Sequence, residues 1–224
     1  MSETSLLHCF GAFLEARGVT QHAEERDVEV ELRIGGAPTS LSAFASTLTR
    51  EEYKQVMASL DGADSTTDWV NIKDSYGKGI RKSVINGQVS FIEKQTLAKE
   101  VFHTGTNLIL TLTAKREKPC HSNLPRGMLF DLERKKKRKS FTFQNLRFDL
   151  SIVWTRSGDA QWGQPEYEVE VEHVAPLPSS SGSAAARSKC PSYLAGQLLD
   201  AGLQLVNILR QDCVRGASTL TCAR

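Results

Sequence analysis

Two short segments in which glutamate alternates with apolar residues constrain the fold of this chain more than any other feature. They cover residues 28–34 (VEVELRI) and 167–172 (YEVEVE). Successive side chains of a β-strand point to opposite faces, so each segment predicts a strand with one charged face and one apolar face. Glutamate is uncommon in strands, so five glutamates in such alternation need a physical reason. Each charged face is either a solvated surface or one wall of a site.

Composition allows a folded domain and restricts its setting. The chain has 224 residues, of which 40% are hydrophobic and 24% are charged, which is enough to form a core. The net charge of +2 predicts no nucleic-acid partner by itself, but the charges are segregated, with acidic segments towards both ends and a basic run between them. The five cysteines are odd in number and lack zinc spacing, so we expect reduced thiols in an intracellular protein. The sequence contains no stretch of about 20 apolar residues, so it predicts no membrane-spanning segment.

Periodicity and turn residues predict a mainly β chain with helices towards both ends. The predicted helices cover residues 3–17, 49–60 and 192–211, and Thr49 with Glu52 forms a capping-box pattern at the start of the second. The predicted strands cover 28–34, 68–74, 79–85, 88–95, 107–115, 128–143, 146–154 and 166–174. Asn86-Gly87 and Gln144-Asn145 predict hairpin turns, and the Pro-, Ser- and Gly-rich segment 175–191 predicts a flexible loop. Many short strands joined by hairpins favour an antiparallel closed barrel or a sandwich.

A run of six cations occupies residues 134–139 (RKKKRK). Alone, such a run is typical of a nuclear localisation signal or a solvated loop, and a nucleic-acid or heparin patch is a further interpretation. Apolar residues at 128–130 and a Phe-rich stretch after the run favour a strand, which would place Arg134, Lys136, Arg138 and Ser140 on one face. Asp149 stands in an otherwise apolar strand, either as a salt-bridge partner or in a functional role.

The two acidic segments become a site if they face each other. Same-face neighbours on a strand are about 7 Å apart at the backbone, so Glu29 and Glu31 can share one divalent cation with a carboxylate of the other segment. Mg²⁺ and Mn²⁺ prefer such oxygen ligands. The alternative is two exposed strands with polar outer faces. Basic strands with the same alternation favour a shared site over this alternative. We therefore predict a barrel with charged residues inside and apolar residues outside, suited to a polyphosphate ligand.

The same residues resemble a known family. Glu29-x-Glu31 on the first strand and Glu168-x-Glu170-x-Glu172 on the last resemble the signature of the triphosphate tunnel metalloenzymes. The basic strand and Phe148-Asp149-Leu150 resemble the branch of metal-dependent RNA 5′-triphosphatases that begin mRNA capping. The resemblance covers residues 28–174 and implies an α+β, mainly β fold: an eight-stranded antiparallel closed β-barrel with a hydrophilic tunnel. With the flanking N- and C-terminal helices it would form a single domain over residues 1–224.

The resemblance also implies roles for individual residues. Glu170 would orient the attacking water. The strand at 107–115 departs from the family, which carries charge inside this strand, because residues 108–113 are only Leu, Ile and Thr; Lys115 at the strand end would substitute. Metal ligands would be Glu29, Glu31 and Glu172; phosphate-binding residues would be Arg33, Arg81, Lys94, Arg134, Lys136 and Arg138; further catalytic positions would be Glu168, Glu170 and Asp149.

Three functional hypotheses follow. The first is an mRNA 5′-triphosphatase that uses Mg²⁺ or Mn²⁺, also hydrolyses nucleoside triphosphates, acts in the nucleus and supplies a separate guanylyltransferase. The second is a small-molecule triphosphatase of the same superfamily acting on tripolyphosphate or thiamine triphosphate, a branch that usually has lysine where Arg33 stands. The third is a non-enzymatic basic RNA-binding module, which leaves the alternating glutamates unexplained.

Overall fold

The computed structural model describes residue 12 and residues 28–36, 47–104, 107–120, 129–174 and 189–218. The predicted helix at 3–17, apart from residue 12, and most of the predicted loop at 175–191 lie outside these ranges. The strands are β1 (Val28–Gly36), β2 (Ser65–Thr66), β3 (Val70–Gly77), β4 (Ile80–Ile85), β5 (Gln88–His103), β6 (Leu108–Pro119), β7 (Leu132–Phe143), β8 (Leu146–Ser157) and β9 (Glu166–His173). Helix α1 covers Arg50–Ser59 and helix α2 covers Lys189–Ser218.

Eight of these strands close into an antiparallel barrel. Their order around it is β7-β3-β4-β5-β6-β1-β9-β8, and β8 pairs with β7 to complete the circle. The short strand β2 pairs with the far end of β7. The closed barrel predicted from the sequence is therefore confirmed, and the sandwich alternative was wrong.

Local turn chemistry sets the hairpins. Asn86 and Gly87 join β4 to β5 with φ values of 50° and 80°, the pair of positive angles that a type I′ turn requires. Gln144 has a φ of 50° in the predicted turn between β7 and β8. Several predicted strand ends were wrong: β3 ends at Gly77 rather than 74, β8 ends at Ser157 rather than 154, and β7 begins at Leu132 rather than 128. β5 continues from 95 to His103 because residues 98–103 pair with residues 109–114 beyond a bulge at residue 97, and β6 continues from 115 to Pro119 because residues 116–119 pair with residues 92–95.

The hydrophobic core lies outside the barrel wall, between the sheet and the helices. Val30, Leu32 and Ile34 on the outer face of β1 are buried in one cluster with residues of both helices. At the start of α1 the backbone N–H of Glu52 donates to the Thr49 hydroxyl, and the backbone N–H of Thr49 donates to the Glu52 carboxylate, as the capping box predicts.

Helix α2 covers the outer faces of β1 and β9. It is longer than the predicted 192–211, and it buries Leu198 and Val206 among other apolar residues. Gly202 allows close approach: a Cβ there would lie 2.6 Å from Leu32 Cδ2. Among the described helices, none is both long and apolar enough to cross a membrane. Because the helices bury the outer apolar faces, the inner faces can carry charge.

Candidate active site

The strand alternation that buries apolar residues outside turns the charged residues into the barrel. On β1, Glu29, Glu31 and Arg33 lie on the inner face, and on β9 the register places Glu172 opposite Glu31 and Glu170 opposite Arg33. All twelve residues assigned to the site from the sequence lie on inner faces: Glu29, Glu31, Arg33, Arg81, Lys94, Arg134, Lys136, Arg138, Asp149, Glu168, Glu170 and Glu172.

Ion pairs reach across the interior between strands that are not neighbours. Arg134 on β7 donates to Glu168 on β9 over 2.6 Å, although β8 lies between the two strands. Arg138 donates to Asp149 over 2.8 Å and to Glu170 over 3.1 Å. Arg33 on β1 also donates to Glu170. The basic and acidic walls therefore face each other at hydrogen-bond distance.

Glu170 stands at the centre of this network. Burial raises its pKa, but the charges of Arg33, Arg138 and Lys136 outweigh burial and hold the pKa well below its usual range. A carboxylate held in this way stays ionised and acts as a hydrogen-bond acceptor. On the same strand, Glu168 is 3% exposed, and its Oε2 accepts no hydrogen bond from any residue that the structure describes.

The three predicted metal ligands lie on the walls formed by β1 and β9. Glu31 accepts a hydrogen bond from Lys115, and Glu172 accepts one from Arg147. Glu29 Oε2 is buried and accepts no hydrogen bond within the described ranges, with Lys94 Nζ 4.0 Å away. The pKa of Glu29 is raised to about 8, first by burial and then by its hydrogen bond with Glu117 and the nearby charges of Glu31, Glu117 and Glu172. Burial also raises the pKa of Glu172.

The chemistry of these carboxylates suits a divalent cation. Within the part of the chain that the structure describes, no three His, Cys, Asp or Glu side chains are arranged as a metal-binding group, and Glu31 and Glu172 each contact a cationic side chain. Their oxygens are nevertheless the ligands that Mg²⁺ and Mn²⁺ prefer, and Glu31 lies directly opposite Glu172. A bound cation would also offset the repulsion that Glu31 and Glu172 exert on Glu29.

Sequence reasoning missed three charged tunnel residues. Asp74 pairs with Lys136 over 2.8 Å, Glu117 accepts a hydrogen bond from Arg81 over 3.2 Å and contacts Lys94, and Arg147 donates to Glu172. The signal for each was period-two alternation, as in Arg147-x-Asp149-x-Ser151 and Lys115-x-Glu117. Glu117 was overlooked because the predicted strand ended at 115.

Comparison with known proteins gives a match at the level of fold. No family model matches the chain, and no curated protein matches it. The structure of the S. pombe Pct1 RNA triphosphatase superimposes with a TM-score of 0.60 and 19% identity, covering 88% of this chain and 91% of that one. The chain has the Pct1 tunnel fold. A second Pct1 structure, in complex with the Spt5 CTD, matches with a TM-score of 0.57 and 17% identity over the same shares. The predicted triphosphate tunnel fold is thus confirmed.

Proposed function

We propose that this chain is a metal-dependent RNA 5′-triphosphatase that removes the γ-phosphate of triphosphate-ended RNA and leaves a diphosphate end. One observation carries the proposal: the closed barrel holds a carboxylate trio and a set of arginines and lysines that pair across its interior. A triphosphate with a bound divalent cation carries both signs of charge in a small volume. It can therefore replace the internal ion pairs, with phosphates on the basic wall and the cation on the acidic wall.

Arginines of two strands are placed to bind phosphate. Arg33 and Arg138 both donate to Glu170, so a phosphate entering between them can accept the same hydrogen bonds. Burial lowers the pKa of each guanidinium, but the neighbouring carboxylates, Glu170 above all, raise the pKa by more than burial lowers it. Both guanidinium groups therefore stay charged in the closed site. Arg81, Lys94, Arg134 and Lys136 would neutralise the remaining phosphate oxygens.

Glu29, Glu31 and Glu172 would hold Mg²⁺ or Mn²⁺, which when bound supplies electrostatic stabilisation of the charge that develops on the phosphate oxygens. Glu170 would orient the attacking water, and Glu168 Oε2 offers a buried acceptor with no hydrogen bond from the described residues. Water attacks the γ-phosphorus in line, the bond to the bridging oxygen breaks, and orthophosphate is released. Asp149 accepts hydrogen bonds from Arg138, Ser140 and Arg147 and so would hold Arg138 in position.

The proposal places the chain at the first step of mRNA capping. Because capping accompanies transcription, the site of action would be the nucleus. The diphosphate-ended product would pass to a separate guanylyltransferase. Hydrolysis of nucleoside triphosphates would accompany the RNA activity.

The test measures phosphate release from 5′-triphosphate RNA with Mg²⁺ or Mn²⁺. Glu31→Gln and Glu172→Gln are each expected to lower the rate of phosphate release about 100-fold or more, because mutation of residues that only support metal ligands already lowers activity about 10–100-fold. Glu51→Gln, an exposed glutamate on α1, is the matched control and should keep full activity. Unchanged metal-dependent release in both tunnel variants contradicts the proposal.

The same assay separates the other two hypotheses. Faster hydrolysis of tripolyphosphate, with RNA left intact, would assign a small-molecule triphosphatase. RNA binding that needs no metal, occurs without hydrolysis and is unchanged in Glu31→Gln would assign a binding module.

A further inference from the structure

The six-cation run of β7 serves two surfaces, because alternate side chains point to opposite sides of the barrel wall. The inner set takes part in the ion pairs of the tunnel, and the outer set consists of Lys135, Lys137 and Lys139. Each outer lysine lies over an aromatic ring: Lys135 over Trp162 at 4.2 Å, Lys137 over Trp69 at 5.2 Å and Lys139 over Phe141 at 5.1 Å. The outer face of β7 is thus a strip of cations and aromatic rings.

A surface cavity of about 660 Å³ opens along this strip. Its lining includes Lys73, Asn86, Lys135, Lys137, Trp154 and Trp162, contributed by β3, β7, β8 and two connecting segments. In the register of the sheet, Lys73 of β3 lies opposite Lys135 of β7, which lies opposite Trp154 of β8. The cavity therefore has cations and indole rings on the same wall.

The outer lysines are available to a ligand. Lys135 and Lys137 are exposed and form no salt bridge with any residue in the described ranges. Glu133, on the same face, is already engaged by Lys73 over 3.1 Å and by Arg156 over 2.6 Å. The positive charge of the strip is therefore not cancelled by its own carboxylate.

We propose that this outer face binds the single-stranded chain of an RNA, with lysines on successive phosphates and tryptophan rings stacked on bases. Surfaces that bind single strands combine these two elements. An acidic peptide would satisfy the lysines but offers no bases to stack on the indole rings of Trp69, Trp154 and Trp162. Lys135 on the outer strip is the next residue after Arg134, whose side chain faces the tunnel. The strip therefore begins one residue from the inner face of β7, where we place the phosphate-binding residues. The choice of RNA rests on the proposed function.

The experiment uses the full chain and a fluorescent 5′-hydroxyl oligouridylate of about ten nucleotides, within the site sizes known for single-strand binders. Binding is measured by anisotropy over a range of NaCl concentrations. The double variant Lys135→Ala/Lys137→Ala should lower the slope of log affinity against log salt by about 1.4, which is about 0.7 for each lost phosphate contact. Trp162→Ala should weaken binding about tenfold, and Trp162→Phe should restore most of it because a ring remains.

Lys54→Ala/Lys118→Ala removes the same charge from exposed positions on α1 and β6 and should leave the salt slope unchanged. An unchanged thermal midpoint shows that each variant is folded. The probe has no triphosphate, so its binding is independent of hydrolysis: loss of hydrolysis with binding intact would overturn the proposed function alone. No binding by the unaltered chain, equal slopes in the two double variants, or binding of an acidic peptide without RNA would overturn the RNA surface.

Discussion

The buried pair of Asp74 and Lys136 gives the sharpest prediction of stability. The two side chains are only 2% and 8% exposed, and Lys136 Nζ lies 2.8 Å from Asp74 Oδ2. Ser83 donates to the other oxygen of Asp74 over 2.6 Å. Asp74→Ala leaves the lysine charge and the serine hydroxyl buried without their acceptor, and breaking a buried pair in this way costs about 3–5 kcal/mol. For a chain of this size the melting temperature should fall by about 6–20 °C.

The assay is urea unfolding followed by tryptophan fluorescence. The control is Asp74→Leu/Lys136→Met, which removes both charges and should recover most of the loss, because apolar replacement of a buried pair is close to neutral. A cost below about 1 kcal/mol for Asp74→Ala, or a double variant as unstable as the single one, would refute the reasoning.

The pair also predicts an acid dependence. Burial raises the pKa of Asp74, but Lys136 and Ser83 lower it by more, so the net shift is downward. The folded state then binds fewer protons than the unfolded state as the carboxyl titrates. The stabilisation is present above the ordinary pKa of aspartate and is lost as the pH falls through the lower folded value. In urea titrations between acid and neutral pH, the free energy of unfolding of Asp74→Leu/Lys136→Met should lack the acid dependence that comes from Asp74.

Three further predictions concern the acidic wall and the helices. With metal chelated, the pKa of about 8 at Glu29 means that the folded state holds a proton the unfolded state has lost, so the free energy of unfolding should fall between about pH 4.5 and 8. In urea titrations, the free energy of unfolding of Glu29→Gln should depend less on pH than that of the unaltered chain. A free energy of unfolding that rises with pH through an effect of Glu29 would contradict this prediction. Gly202→Leu should cost about 1–3 kcal/mol in urea unfolding by forcing α2 away from the sheet, whereas Gln204→Leu, exposed on the same helix, should change little. Thr49→Ala should cost about 1 kcal/mol through loss of the cap of α1, and Thr49→Asp should retain stability; equal thermal midpoints for the two would count against the cap.

The sequence predicted those parts of the fold that depend on period-two alternation. β1 and β9 alternate charged and apolar residues, so their inner and outer faces could be assigned before any contact was known. The extensions of β5 and β6 could not be assigned, because residues 96–103 do not alternate and are held in place by a partner strand. The position of Glu117 in the tunnel was missed because the predicted strand ended at residue 115.

The pairing of charges inside the tunnel was beyond local reasoning. Residue patterns assign Arg134 and Glu168 to inner faces, but their contact depends on barrel closure and on the register of β8 between them. Lys136 shows the same limit, because its partner Asp74 lies on β3 and no local pattern pairs the two residues. Sequence patterns thus identified the walls of the site better than the contacts between them.

The two-sided charge of β7 has a consequence for strand alignment. A strand with one apolar face is held in register because a slip of one residue would expose that face, but over 134–139 a slip would exchange one set of cations for another. The register must therefore be fixed beyond the run, by Phe141, which is 2% exposed, and by the hairpin at Gln144 that ties β7 to β8. That hairpin decides which cations enter the tunnel and which remain on the outer surface.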